Sequence, residues 1–185
     1  MHFLSKSSKM TTKERADLIQ ILNESETLLL AKINPASEEL FQYKATESTW
    51  SMAELVEHLI ITDQNLLVGI IKKGERLYDE MPELFPNEKL LKVINNRSKK
   101  IIAPPHLIPQ GLFKTKEAAI DGFRKSRGAI ENFVKTTELP LEKIAFKHFV
   151  LGQIDAKGWI TFMAGHCQRH TAQMEEIFES WKMKA

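Results

Sequence analysis

Across residues 155–181 the apolar side chains recur at helical spacing, and two histidines take places in their stripe. The stripe reads Trp159, Phe162-Met163, His166, His170, Met174, Ile177 and Trp181, a period near 3.6 rather than 2. Asp155 stands before it as a helix cap. Three further long stretches carry the same period. Residues 12–31 do so on Ala16, Ile19, Leu22 and Leu29-Leu30, and Asn34-Pro35 ends the run, because proline disfavours helical backbone in the residue before it. The second opens on Ser51-Met52-Ala53-Glu54, a capping box in which serine caps and glutamate reaches back. It continues through Leu55, Leu59, Leu66 and Ile70 to Gly74, with His58 on its inward stripe. The third, residues 115–137, presents Ile120, Phe123, Ile130 and Val134.

The intervening segments are less regular. Residues 87–97 predict a short helix with Leu90, Leu91 and Ile94 inside, after which Pro104-Pro105 and Pro109 force an extended crossover. Crossovers of this length occur in bundles that are not simply up-and-down. The connector 138–154 holds Pro140, His148 and Gly152, with a short extended piece expected over 145–151. One domain over 1–185 accounts for the pattern, with 1–11 as a loose extension. A chain of 185 residues suffices for a full core, and 43% apolar composition argues against disorder.

A formal charge of +2 gives no concentrated basic face of the kind nucleic-acid binders carry. Lys72-Lys73-Gly74-Glu75-Arg76 and Arg97-Ser98-Lys99-Lys100 read as solvated helix ends or loop edges, and no nucleic-acid partner is expected. Cys167 is the only cysteine, which excludes an intramolecular disulfide and fits a reducing cytoplasm. No secretory h-region and no apolar run of about 18 residues occurs, so neither a signal peptide nor a membrane span is expected.

The histidines carry the chemistry. A single histidine on an apolar helix face is more often a core residue bonded to a carbonyl. His166 and His170 are four apart, on one helix face, and with His58 they make three candidate ligands on inward faces of two helices. Unpartnered burial would cost about 1–3 kcal/mol for each polar nitrogen, and one divalent ion satisfies a nitrogen on every ring. The surroundings exclude two metal chemistries. Zinc proteases place glutamate after the first histidine of HExxH, where this chain has Cys167. The paired ExxH of di-iron bundles is absent as well. A neutral ligand set leaves the ion its full +2 charge, and zinc, nickel and ferrous iron all accept imidazole. Cys167 points about 100° away from His166 and reads as a buried or interfacial thiol. Candidates for supporting roles are Gln173 on the His170 face, Glu54 one turn before His58, and His148 in the connector, overhanging the site.

Trp50-Ser51, Glu54 and His58-Leu59, followed by Trp159, His166, Arg169-His170 and Gln173, resemble the DinB-like superfamily, with its WS…E…HL and HxxxHxxQ elements. His148 to Gly152 is similar to the HPxxG stretch of one branch, with Phe149 in the proline position. The resemblance spans residues 13–177. It implies an all-α four-helix bundle with a long crossover, one divalent metal held by His58, His166 and His170, and a homodimer. Relatives of this kind include maleylpyruvate isomerases using mycothiol and S-transferases using bacillithiol, while others are described as metal-dependent hydrolases. The expected function is therefore metal-dependent transfer of a low-molecular-weight thiol to a small-molecule electrophile. Two alternatives stay open: a hydrolase using metal-activated water, and a non-catalytic stress-related bundle whose metal is structural or absent.

Overall fold

A computed structural model describes residues 9–98 and 101–184. Four long helices form a bundle: α1 (Thr12–Ile33), α3 (Met52–Lys73), α5 (Lys116–Thr136) and α6 (Ala156–Lys182). Two short helices join them, α2 (Glu38–Gln42) and α4 (Asn87–Asn95), and the strands β1 (Ala145–His148) and β2 (Gly152–Asp155) form an antiparallel hairpin before α6. The all-α bundle with a long crossover is thus the observed architecture. Among the described residues no helix is long and apolar enough to cross a membrane.

Capping side chains set the helix starts. Thr11 and Glu14 form a capping box on α1, and Ser51 and Glu54 form one on α3. Thr115 caps α5 and Asp155 caps α6. Each of these side chains accepts a backbone N–H that has no partner within the helix. Glu14 also accepts from Lys157 at 2.6 Å, which joins the start of α1 to the start of α6 and holds its carboxyl down at about 2. Of the loose extension expected over 1–11, residues 1–8 lie outside the described residues. Met10 is buried in the core, and Lys9 pairs with Glu138.

The hairpin replaces the single extended piece expected over 145–151. Register pairs Ala145 with Asp155 and His148 with Gly152. Gly152 closes the turn at φ +83, a left-handed backbone that glycine adopts without a Cβ penalty. Helix α4 also ends earlier than the expected residue 97. Beyond Asn95, Arg97 reaches back to Glu176 at 2.6 Å, while Lys99 and Lys100 lie outside the described residues.

The apolar core falls into two clusters. One gathers Leu18, Leu22, Ile70, Ile130, Val134 and Met163 near the hairpin. The other gathers Leu29, Phe41, Leu55, Leu59, Phe123, Cys167 and Met174. Between them the inward positions turn polar. Asp63 on α3 faces Arg127 on α5 at 3.1 Å, both fully buried, and His166 stands on α6 between Ala164 of the first cluster and Cys167 of the second.

Candidate metal centre

The sequence reason for the site's position is simple: His58 lies two turns into the capped start of α3, and His166 and His170 lie mid-way along α6. The packing of α3 on α6 brings the three rings together. His58 Nε2 is 3.3 Å from His166 Nε2, which is 3.0 Å from His170 Nε2. Facing ligand nitrogens all fall within 4.8 Å of one another. Metal–nitrogen bonds of about 2.0–2.1 Å at tetrahedral or octahedral angles put two ligand nitrogens roughly 2.9–3.4 Å apart, which the two spacings to His166 match.

Proton placement favours the same conclusion. His58 Nδ1 lies 2.7 Å from the Leu107 carbonyl. A carbonyl only accepts, so Nδ1 carries the proton and Nε2 presents a lone pair. His170 Nδ1 donates to Gln173 Oε1 at 3.0 Å, with the same result. His166 has a buried Nδ1 with no hydrogen-bond partner among the described residues. Two lone pairs converge on a third ring that has one proton to offer, and a cation relieves that arrangement on all three rings.

Electrostatics keep the rings neutral, as ligation requires. Burial lowers the pKa of His58, against a weaker upward pull from the Leu107 carbonyl. Burial also takes His166 well below its ordinary value, reinforced by the charges that His170 and His58 would carry. His170 is pushed down to about 3, mainly by burial, with Gln173 opposing.

A cavity of about 530 Å³ opens on the cluster. Its walls are largely aromatic and aliphatic, including Trp50, Phe146, Phe149, Trp159 and Phe162. Trp50 packs on His58 with ring centroids 4.8 Å apart, and Phe162 stacks on His166 at 5.3 Å. Among the described residues no aspartate or glutamate lines the cavity, whereas Lys147 and Arg169 do.

The remaining expected site residues are distributed unevenly. Gln173 touches the cluster through His170. His148 lines the same cavity, separated from His166 by the Phe162 ring. Glu54 does not join them. Its Oε2 accepts from the Ser51 N–H at 2.8 Å in the cap and its Oε1 pairs with Lys44 at 2.9 Å, so both oxygens are engaged, and the Leu107 carbonyl takes the ring-orienting contact with His58. Cys167 is fully buried, with its thiol donating to the Ser25 carbonyl at 3.4 Å and pushed up to about 11 by burial. Sequence reasoning missed Leu107, because a backbone carbonyl leaves no mark in side-chain identity. His106 beside it is exposed at the cavity rim.

The chain is similar to known proteins in sequence and in fold. The sequence is 28% identical over 167 residues to the uncharacterized protein YuaE of Bacillus subtilis (strain 168), covering 87% of this chain and 97% of that one. The fold is similar to that of YfiT from Bacillus subtilis, described as a probable metal-dependent hydrolase with an unusual four-helix bundle topology. The TM-score is 0.57 at 13% identity, over 96% of this chain and 91% of YfiT. The DinB superfamily profile matches residues 21–174, from the middle of α1 to Met174 on α6. A match over that span, with all three facing histidines inside it, makes this chain a member of the DinB superfamily.

Proposed function

We propose that His58, His166 and His170 hold one divalent ion through Nε2, and that the protein transfers a low-molecular-weight thiol to an apolar electrophile bound in the adjoining cavity. The observation that carries this reading is a cavity beside three neutral imidazoles whose lining, among the described residues, contains no carboxylate. When bound, the ion supplies a positive centre that favours thiolate over thiol at neutral pH. The chain's own groups do the rest. Leu107 and Gln173 hold two rings with their lone pairs inward, the aromatic walls exclude water, and Lys147 and Arg169 at the cavity favour an anionic cosubstrate. Water activation would call for a base, and the nearby acids are engaged elsewhere. Glu54 serves the cap, Glu57 accepts the N–H groups of Gln110 and Leu112, and Asp63 faces Arg127. Cys167 is too deeply buried to provide the sulfur.

Elemental analysis of tag-free protein is expected to give one ion per chain from among zinc, nickel and iron. Metal-loaded protein is expected to conjugate monochlorobimane to a small thiol and to lose that activity on chelation. His170→Ala should lose the ion while keeping its helical circular dichroism. Ester hydrolysis that needs metal and no thiol, with no conjugation, would replace this reading with the hydrolase that YfiT is described as. Unfolding of His170→Ala would make the metal structural. We further propose a homodimer through the outer face of α1, where Leu28 is 51% exposed beside a groove lined by Ala16 and Ile19. A monomer mass by light scattering at micromolar concentration would rule it out.

A further inference from the structure

The turn between β1 and β2 fixes His148 in a single tautomer. Its Nδ1 accepts the backbone N–H of Val150 and of Leu151, both at 3.1 Å. A ring nitrogen that accepts two N–H groups carries no proton, so the neutral ring bears its hydrogen at Nε2. Burial holds the ring neutral, with its pKa down at about 4. The side chain is packed against Phe149, stacked at 4.6 Å, and against Phe162 and Trp159 at 5.1 and 5.7 Å. Among the described residues nothing accepts a hydrogen bond from Nε2, although the residue is only 8% exposed and lines the cavity. Nε2 is therefore open to the cavity, where a water or a ligand oxygen can accept its hydrogen. The same wall offers flat apolar surface on Phe146, Phe149, Trp159 and Phe162.

We propose that His148 Nε2–H is the cavity's hydrogen-bond donor to substrate, and that the site takes a compound with an aromatic or aliphatic body and a carbonyl-type oxygen, seated with its body on those rings and its oxygen on His148. This rests on the cavity being the substrate site, as proposed above, and on neither the metal nor the thiol. His148 is then a binding residue that orients the electrophile, distinct from the three histidines that face one another.

Two ligands of nearly the same shape test it on the zinc-loaded protein: acetophenone, which has an acceptor oxygen, and ethylbenzene, which has none. NMR titration is expected to give about tenfold tighter binding of acetophenone, the scale of one buried hydrogen bond. In protein with nitrogen-15 labelled histidine, the Nε2–H resonance of His148 should shift with acetophenone and stay in place with ethylbenzene. His148→Asn keeps an acceptor for the two turn N–H groups and withdraws the donor from the cavity. Its melting temperature should stay close to wild type, and its preference for acetophenone should vanish while ethylbenzene binding is unchanged. His148→Gln, which restores an N–H at the Nε2 position, should recover part of the preference. A preference that survives in His148→Asn reduces the ring to a cap for the turn, and failure of both ligands to bind removes the substrate class. Thiol conjugation is a separate readout: its absence, with the His148-dependent preference intact, would overturn the proposed reaction and leave this binding role standing.

Discussion

Gln173 touches the candidate centre only through His170, so its removal separates orienting a ring from ligating an ion. Gln173→Ala is expected to weaken metal binding by about 10–100-fold, the usual cost of losing a partner that fixes a ligating histidine, with helical content unchanged. Competition against a chelating dye measures it, and an unaltered affinity would detach Gln173 from the site. The histidines also set a pH dependence. His58, His148, His166 and His170 are all held below their ordinary value of 6.5, so below that pH the unfolded chain takes up protons that the folded chain refuses. Stability of the metal-free protein is therefore present above pH 6.5 and is lost as pH falls, down to about 4, where His148 begins to charge. For His170, down at about 3, the loss between pH 6.5 and 5 is about 2 kcal/mol. Asp63 works the other way: raised to about 6 by burial, it binds a proton in the folded state first and returns on the order of 1 kcal/mol by pH 5. Urea denaturation in chelator at pH 7.5 and 5.0 should show the net loss, and equal or greater stability at pH 5.0 would contradict it.

At the scale of elements, α4, β2 and α6 meet at one close approach. Gly158 in the first turn of α6 lies so near α4 that a Cβ there would stand 2.3 Å from Asn87 Oδ1 and 2.7 Å from Ile154 Cγ2. Asn87 in turn donates to both oxygens of Asp155, the cap of α6. Gly158→Ala is expected to push Asn87 off the cap and cost about 1–3 kcal/mol, the range for overpacking a filled site, although alanine favours a helix interior. Thermal unfolding checks the sign, and a raised melting temperature would refute it. The same neighbourhood shows what local pattern conveys. Ser51 with Glu54, and Asp155 before a long stripe, announced α3 and α6 because capping is written in adjacent side chains. Thr11 and Glu14 carry the same spacing on α1. Helix α2 escaped because five residues are too short for a helical period to emerge. Strand β2 escaped because Asp155 is at once its last residue and the next helix's cap. Its partner is a strand only by virtue of pairing across the turn at Gly152.

For the whole molecule, the polar level between two apolar clusters is the organising feature. Arg127 and Asp63 interrupt the core without meeting solvent, and Arg127 also donates to the Met163 carbonyl one turn before His166. Removing one partner of a buried pair typically costs about 3–5 kcal/mol. Arg127→Met is therefore expected to be strongly destabilising, and Asp63→Asn added to it should recover a measurable part, as denaturation of the two variants will show. A double variant no more stable than the single would mean that the carboxyl gains nothing from its partner. Neither residue stood out in the sequence, since an aspartate and an arginine 64 positions apart look like ordinary surface charges until the fold opposes them. The three histidines were legible because each sits in an apolar stripe. What holds His58 was not, since it comes from the main chain of the crossover.

That main-chain contact has a consequence in time as well as in space. Leu107 anchors the crossover to His58, and Glu57, the residue before it, grips the N–H groups of Gln110 and Leu112. Whatever tightens His58 must therefore slow the opening of a segment that otherwise lies on the surface. Loading the protein with zinc should retard amide hydrogen exchange at Gln110 and Leu112 and delay protease cleavage across residues 104–112. By reciprocity, chain nicked there should bind zinc more weakly. Exchange rates that ignore the metal would show that the crossover and the centre open independently.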